Sequence, residues 1–311
     1  MSIEIILHSS EDNNYIVTTA IGKKYYDDFL RYSFNSWEKY CKKYGIGLAV
    51  VVRDIISKTH FNYKKANWQK FIVAAELRKV VSVKNICHLD TDILISPIAP
   101  NIFDFHEKDY ISVVSKRKNL PYSLNLALKR IAFLRNHYYS PSYPLDSSLF
   151  ISLNDLYSFH NLENPSILDE TCSGVFVYNV DKFEAFFEDL FHKYDKDIKS
   201  LSNGGDQTHF NFHVLNGPVK FLDYKFQSLW TYEQAVLYPF IYDSRHKKSI
   251  KSCIQASLMN NYFLHFAGSW HESNMWKMKN IIDKSFEIIC HNFSEYEKKP
   301  QTGKPLGQVK P

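Results

Sequence analysis

This chain has no CxxC pair. Its five cysteines, Cys41, Cys87, Cys172, Cys253 and Cys290, are odd in number and far apart, which excludes a zinc or dithiol redox site built on local spacing. Cys87 and Cys172 lie in apolar, strand-like runs, and all five read as reduced core thiols, the cysteine usage of a cytoplasmic protein. No apolar run approaches the ~20 residues of a membrane span. Met1 to Asn14 carries acids and no apolar h-region, so no secretory leader is expected. An excess of one charge sign is lacking too. Lys and Arg number 38 against 33 Asp and Glu, a formal charge of +5, with acids interleaved among the bases, unlike the basic stripe of a nucleic-acid binder. There is no internal repeat. The expectation is a soluble, cytoplasmic protein with no nucleic-acid partner.

What the chain does have is apolar mass and aromatic rings. It is 311 residues long, 45% apolar and 16% aromatic, with 21 Tyr and 23 Phe, enough for one large α/β domain or two small ones. Asn14 to Ala20 reads as a buried strand ending in a polar turn. Lys24 to Tyr44 carries Tyr26, Phe29, Leu30, Phe34, Trp37, Tyr40 and Cys41 at helical spacing, and Leu48 to Val52 is a second buried strand. That is the strand–helix–strand alternation of a mainly parallel sheet. A helix over 65–82 leads to a strand ending at Asp90-Thr91-Asp92, and Tyr110 to Ser115 is the next strand. Residues 15–115 thus form a nucleotide-binding half. Pro121 to Asn164, rich in Tyr, Ser, Pro and Asn, reads as an irregular insertion on the acceptor side. A strand over 172–179, a helix over 181–199 with Asp181 at its N-terminus, a flexible turn at 201–205 and a helix opened by Asp206 follow. Short strands at 220–223 and 263–266 and a closing helix over 275–293 complete the 116–293 half. The Lys-, Pro- and Gly-rich 294–311 reads as a disordered tail.

Asp90-Thr91-Asp92 places two carboxylates on the same side of an extended chain at a strand end, where α/β proteins bind ligands. The pair suits a hard divalent cation carrying phosphate, although a polar turn accepting backbone N–H groups reads the same way. Asn203-Gly204-Gly205-Asp206-Gln207-Thr208-His209-Phe210-Asn211 and Leu264-His265-Phe266-Ala267-Gly268-Ser269-Trp270 are two further segments in fixed order. Together the three resemble the GT-A nucleotide-sugar glycosyltransferases, most closely the retaining glycogenin and lipopolysaccharide galactosyltransferase type. In those enzymes Asp-x-Asp, Asp-Gln-x-x-x-Asn and His-Phe-x-Gly motifs recur in this order, and a helix matching that of Trp68 and Lys70 precedes the Asp-x-Asp strand. The likeness covers Tyr15 to about Trp270 at motif level.

The resemblance implies a GT-A α/β fold and a metal-dependent hexosyltransferase. It would move a sugar from a nucleotide-sugar, UDP-linked foremost, to a saccharide or lipid-linked saccharide acceptor, with retention, in surface polysaccharide or lipopolysaccharide assembly. Asp90, Asp92 and His265 would hold Mn²⁺ or Mg²⁺. Asp206 and Gln207 would lie under the transferred sugar. Thr18, Thr19 and Ala20 would hold the base and ribose, and Lys70, Thr91, Ser173, Gly174, Asn211, Gly268 and Trp270 would complete the donor site. Each has a plainer reading: His265 as a core histidine, Asp206 as a helix N-cap, Lys70 as a solvated helix lysine. The family's Lys-Pro after His-Phe-x-Gly is absent; Ser269-Trp270-His271-Glu272 stands there, with Trp270, His271 or Lys277 as substitutes. The basic tail reads first as a solvated linker and second as a contact with an anionic membrane carrying a lipid-linked acceptor.

Two rival functions share parts of this pattern. A sugar nucleotidyltransferase would need a Gly-rich phosphate loop after the first strand, where Thr18-Thr19-Ala20-Ile21-Gly22 offers one glycine. A non-catalytic sugar-binding relative would have no need of both aspartates, Asp206-Gln207 and His265 together. His209 and His213 sit four apart as zinc ligands do, but with no Glu between them to act as base.

Overall fold

The structure is a computed structural model and describes residues 2–10, 12–139, 149–162, 167–194, 206–268 and 270–298. A seven-stranded sheet forms its centre, built from β1 (Ile3–Leu7), β2 (Asn14–Thr19), β3 (Gly47–Val51), β4 (Asn85–Leu89), β6 (Ile111–Ser115), β7 (Thr171–Asn179) and β8 (Val219–Phe221). The spatial order is β1-β3-β2-β4-β7-β6-β8. β2 pairs in parallel with β3 and β4, and β6 with β8, while β1 and β7 run antiparallel to their neighbours. The expected mainly parallel α/β class is therefore what the chain adopts, with two reversed strands. A smaller sheet holds β5 (Ile93–Ile95), β10 (Phe263–His265) and β9 (Ser228–Leu229) in the order β5-β10-β9.

Both faces of the central sheet are covered, so its strands read as continuous apolar runs. All nine residues of β7 are buried. Phe176 and Tyr178 point into the layer that contains Trp68, Phe71, Phe187 and Phe210, while Val175 and Val177 point into the layer of Phe29, Trp37 and Phe263. Phe71 stacks on Phe187 and Phe210 at ring centroids of 6.0 and 5.8 Å. Truncating any one of these rings to Ala should cost about 3–5 kcal/mol.

The helices are α1 (Lys23–Asp28), which continues through a π turn (Phe29–Ser33) into α2 (Phe34–Tyr44); α3 (Ala66–Gln69), which continues through a 3₁₀ turn (Lys70–Ile72) into α4 (Val73–Arg78); α5 (Leu124–Tyr138); α6 (Leu153–Phe159); α7 (Val180–Lys193); α8 (Asp206–Leu215); α9 (Trp230–Leu237); α10 (Ile250–Asn260); and α11 (Lys284–Lys298). No helix among the described residues is long and apolar enough to cross a membrane. All five cysteines are free and buried.

Several expectations need correction. β1 precedes the strand read as the first one; its half-buried edge position hides the alternation. The 65–82 helix stops at Arg78. Within 121–164 the described residues hold two helices, α5 and α6: Ser123 caps α5 by accepting from Leu126 N, and Ala127, Ile131 and Leu134 form its buried stripe; residues 140–148 and 163–164 lie outside the described residues. Leu126, Leu128 and Phe133 on other sides of α5 flatten its amphipathic contrast. α7 begins at Val180 because Asn179, not Asp181, caps it. Between β9 and β10, α9 and α10 have no counterpart in the sequence reading. The closing helix starts at Lys284, not Met275, after Asn280 takes a positive φ of 59° and Asp283 accepts from Phe286 N. It runs to Lys298, past the expected boundary at 294. The turn at 201–205 and the tail from 299 lie outside the described residues.

Candidate active site

The chain turns sharply where β4 gives way to β5, and this turn carries the two aspartates. Asp90 N donates to the Gly174 carbonyl at 2.9 Å, and Phe266 N donates to the Asp92 carbonyl at 3.0 Å. Ser33 Oγ, in the π turn, donates to the Thr91 carbonyl at 2.7 Å. β10 pairs antiparallel with β5, with His265 opposite Ile93, and this register brings the imidazole alongside the turn. His265 Nε2 lies 3.2 Å from Asp92 Oδ1 and 3.8 Å from Asp90 Oδ2. One ligand atom from each of the three lies within 4.8 Å of the others. Behind the ring, Gln227 Nε2 stands 3.1 Å from Nδ1 and donates to the Cys172 carbonyl at 3.1 Å.

Gly174 makes this approach possible. A Cβ there would sit 2.3 Å from His265 Cε1 and 2.9 Å from Asp90 Oδ2, closer than atoms can come without displacement. Gly174 is thus needed because the histidine ring occupies the space of a side chain.

A second carboxylate centre adjoins the first. Asp206, the first residue of α8, accepts from Lys70 Nζ at 2.8 Å, Ser173 Oγ at 3.0 Å and Asn67 Nδ2 at 2.6 Å. Lys70 Nζ also donates to Ser173 Oγ at 2.8 Å. Lys70 is buried, so it is not the solvated lysine of the plainer sequence reading. Burial alone would lower its pKa, but the Asp206 and Asp90 carboxylates raise it overall, and it stays an ammonium. Next to Asp206, Gln207 Nε2 donates to Glu170 Oε1 at 3.1 Å, which also accepts from Lys116 Nζ at 2.6 Å.

These pairings leave a charge imbalance. Lys70 is matched to Asp206 and Lys116 to Glu170, while among the described residues the groups within 4 Å that could pair with Asp90 and Asp92 are imidazoles, His265 beside both and His88 at 3.9 Å from Asp90. Burial pushes the Asp90 carboxyl up, against the lowering effect of Lys70 and His265. The His265 imidazole would be lowered by burial, but Cys172 and Asp92 beside it hold it well above the usual range. Two oxygen donors and one nitrogen with surplus negative charge is the donor set of a divalent cation with mixed ligation. The residues present therefore fit such an ion.

Two lobes of open space meet at this turn. The larger, about 440 Å³, is lined by Ser173, Asp206, Gln207, Tyr232, Gly268 and Trp270 among others. The smaller, about 360 Å³, is lined by Thr19, Ile21, Lys65, Ala66 and Thr91. Tyr25, Asn67, Lys70, Asp90 and Asp92 border both. Of the residues singled out in the sequence, Thr18 and Ala20 are fully buried, and neither they nor Gly174 line either space. Asn211 does not reach the cavity either; its side-chain carbonyl accepts from Thr171 N at 2.9 Å and Thr171 Oγ1 at 2.6 Å. Gly268 adopts φ +100°, and a Cβ there would meet the Trp270 ring at 2.5 Å. His271 packs edge-on against Tyr139 at 4.8 Å and Lys277 pairs with Asp28 at 3.0 Å, so Trp270 alone of the three substitutes faces the cavity.

The Trp270 ring is held from behind. The Arg135 guanidinium sits 4.0 Å from its centroid, and Arg135 Nε donates to Glu272 Oε1 at 2.9 Å within a fully buried ion pair. Sequence reasoning missed Arg135, Asn67, Lys116, Glu170, Gln227 and Tyr232. Only Asn67 had an available signal, its position one helical turn before Lys70; the others join the site from segments far away in the chain.

No protein-family model matches this chain, and no curated protein matches it in sequence. Solved structures do match in shape. A bifunctional glycosyltransferase, WbbM, in its apo form, aligns with TM-score 0.51 at 13% identity over 91% of this chain and 52% of its own. A glycosyltransferase involved in glycosylation of the major capsid of PBCV-1 aligns with TM-score 0.49 at 11% identity over 86% of this chain and 100% of its own. The glycosyltransferase GlyE of Streptococcus pneumoniae TIGR4 aligns with TM-score 0.41 at 11% identity, covering 93% and 65%. The chain spans about half the length of the WbbM structure, and that likeness shows a glycosyltransferase fold.

Proposed function

We propose that this protein is a metal-dependent glycosyltransferase that transfers a sugar from a nucleotide-sugar to a saccharide acceptor. One observation carries this reading: Asp90, Asp92 and His265 converge at the waist between two lobes, in a glycosyltransferase fold. The smaller lobe suits a nucleoside, with Thr19 and Thr91 on its wall and Thr18 and Ala20 flanking Thr19 in the chain. The larger lobe suits the transferred sugar and the acceptor. A UDP-sugar is the proposed donor and Mn²⁺ or Mg²⁺ the proposed ion, held by the two aspartates and His265. Once bound, such an ion supplies Lewis-acid stabilisation to the departing diphosphate.

The chain's own groups divide the remaining work. Lys65, exposed on the smaller lobe, supplies a positive charge for the diphosphate, because the Lys70 ammonium is committed to Asp206. Asp206 accepts from three donors, two on Oδ2 and one on Oδ1, which leaves one lone pair on Oδ1 for a sugar hydroxyl. Its role is to orient sugar hydroxyls and to stabilise positive charge at the anomeric carbon. Gln207, held by Glu170, presents its carbonyl oxygen to the same region. Ser173 brings β7 to the wall of the larger lobe, and Gly174 makes room behind it for the His265 ring. Gly268 and Trp270 border the larger lobe, and Asn211 acts indirectly by fixing Thr171. Retention of configuration, action in surface polysaccharide or lipopolysaccharide assembly, a lipid-linked acceptor and a cytoplasmic location belong to the same proposal.

The test is thermal stabilisation by UDP-, GDP-, CMP- and TDP-sugars with and without Mn²⁺, followed by NMR of the product anomer. Stabilisation by one nucleotide only with the ion, and slow hydrolysis of that donor, is the expected result. Metal-independent binding without hydrolysis would move the protein to the non-catalytic sugar-binding class.

A further inference from the structure

The outer side of α5 has an unusual composition for a solvated helix. The helix contains no acidic residue. Leu126, Lys129, Phe133 and His137 recur at three- and four-residue spacing and so share one side. Leu126 and Phe133 are 41% and 67% exposed. Arg130 Nη1 donates to the Val236 carbonyl at 2.6 Å, and Tyr138 rests near Tyr242 with centroids 6.4 Å apart, so the segment after α9 continues the same surface. The end of α9 and that segment add Leu237 and Phe240, exposed by 49% and 45%, and then the exposed turn Ser244–Ser249, sequence SRHKKS. Phe240 packs edge-on against His246 at 5.7 Å. Asp243 is the one acid between Leu237 and Lys251, and Arg245 takes it up at 2.6 Å. Lys129, Lys247 and Lys248 form no ion pair among the described residues.

We infer that this face, the outer side of α5 together with residues 237–248, docks on an anionic lipid membrane. Uncompensated lysines flanking exposed Phe and Leu match a surface that is negative at its headgroups and apolar just beneath. Buried Ala127 and Ile131 on the inner side of α5 pack in one cluster with Tyr232 and Trp270, which line the larger lobe. Docking would therefore set that lobe one helix away from the bilayer. This orientation rests on the proposed function and favours a lipid-linked acceptor; the lipid binding itself does not depend on it.

The test is co-sedimentation of the full chain with phosphatidylcholine vesicles and with mixed phosphatidylcholine–phosphatidylglycerol vesicles, comparing wild type with K247A/K248A/F133S. Wild type should sediment with the mixed vesicles only and be released by high salt. Each lysine removed should weaken partitioning about five-fold, so the triple variant should bind at least about 25-fold less. The tail remains in the variant, so a loss reports on this face. Donor hydrolysis should not change, because none of the three residues lines the cavity. Equal partitioning to both vesicles, no binding by wild type, or undiminished binding by the variant overturns the inference. So does a concentration-dependent dimer that the same substitutions abolish, which would make this a contact between copies. Absent hydrolysis with intact vesicle binding would refute the proposed function alone.

Discussion

Replacing Gly174 by Ala adds one methyl group and should disable the candidate metal centre. The new Cβ would stand 2.3 Å from His265 Cε1, where 3.4 Å is ordinary contact, and 2.9 Å from both His265 Nδ1 and Asp90 Oδ2. A shift of about 1 Å is therefore required of the ring or of β7. β7 is buried over its whole length and hydrogen-bonded on both sides, so the ring must give way, which breaks its contacts with Gln227 and Cys172. Overpacking of this kind costs about 1–3 kcal/mol of stability. A ligand displaced by that distance should weaken ion binding by at least about ten-fold, the lower end of what loss of a ligand's supporting contacts costs. Gly217 is the control: a Cβ there meets only backbone carbonyls at 3.5 and 3.6 Å, and G217A should bind Mn²⁺ as wild type does. Calorimetric titration with Mn²⁺, beside thermal unfolding of the metal-free proteins, separates the two effects. Wild-type Mn²⁺ affinity in G174A would refute the reasoning.

Three other outcomes are expected. D92N should abolish both sugar transfer and the stabilisation by Mn²⁺ while the metal-free melting temperature stays within a few degrees of wild type; wild-type turnover would sink the metal assignment. K70M leaves the Asp206 carboxylate buried without its cation and should cost about 3–5 kcal/mol, most of it recovered in K70M/D206N; urea unfolding of the two variants checks this. Burial holds His209 near a pKa of about 3, with His160 and His213 adding to the lowering. The unfolded chain takes up that proton below about pH 6.5 and the folded chain does not, so stability is full above that pH and falls as the pH drops towards 3. Between about pH 7 and 5 this one group should cost about 2 kcal/mol. The loss should shrink by that amount in H209F, read as the change in urea midpoint; an unchanged pH dependence would refute the assignment.

The strands that carry the site were readable because burial on both faces makes them uninterrupted apolar runs with polar ends, as at Asn85–Leu89 before Asp90. α5 was not readable. Its buried stripe is genuine, but apolar residues on its outer side erase the contrast that periodicity depends on. β1 was missed because an edge strand of a mixed sheet needs only one buried face. The motif residues Asp90, Asp92, Asp206 and His265 were legible as residue types suited to a cation and a charged leaving group. Their immediate partners were not: Gln227 behind His265 and Arg135 behind Trp270 have no local pattern of their own.

By itself the sequence determined the α/β class, the reduced buried cysteines, and the candidate carboxylates and histidine. These follow from local burial and from side-chain chemistry, which neighbouring residues reveal. The tertiary structure alone decided which charges are spent on each other. Lys70 faces Asp206 across 2.8 Å although 136 positions separate their numbers, and Lys116 is consumed by Glu170. Only after those pairings are known do Asp90 and Asp92 emerge as the site's carboxylates with no Lys or Arg partner among the described residues. Charge balance in a buried site is a sum over groups brought together by folding, and no window of sequence contains that sum.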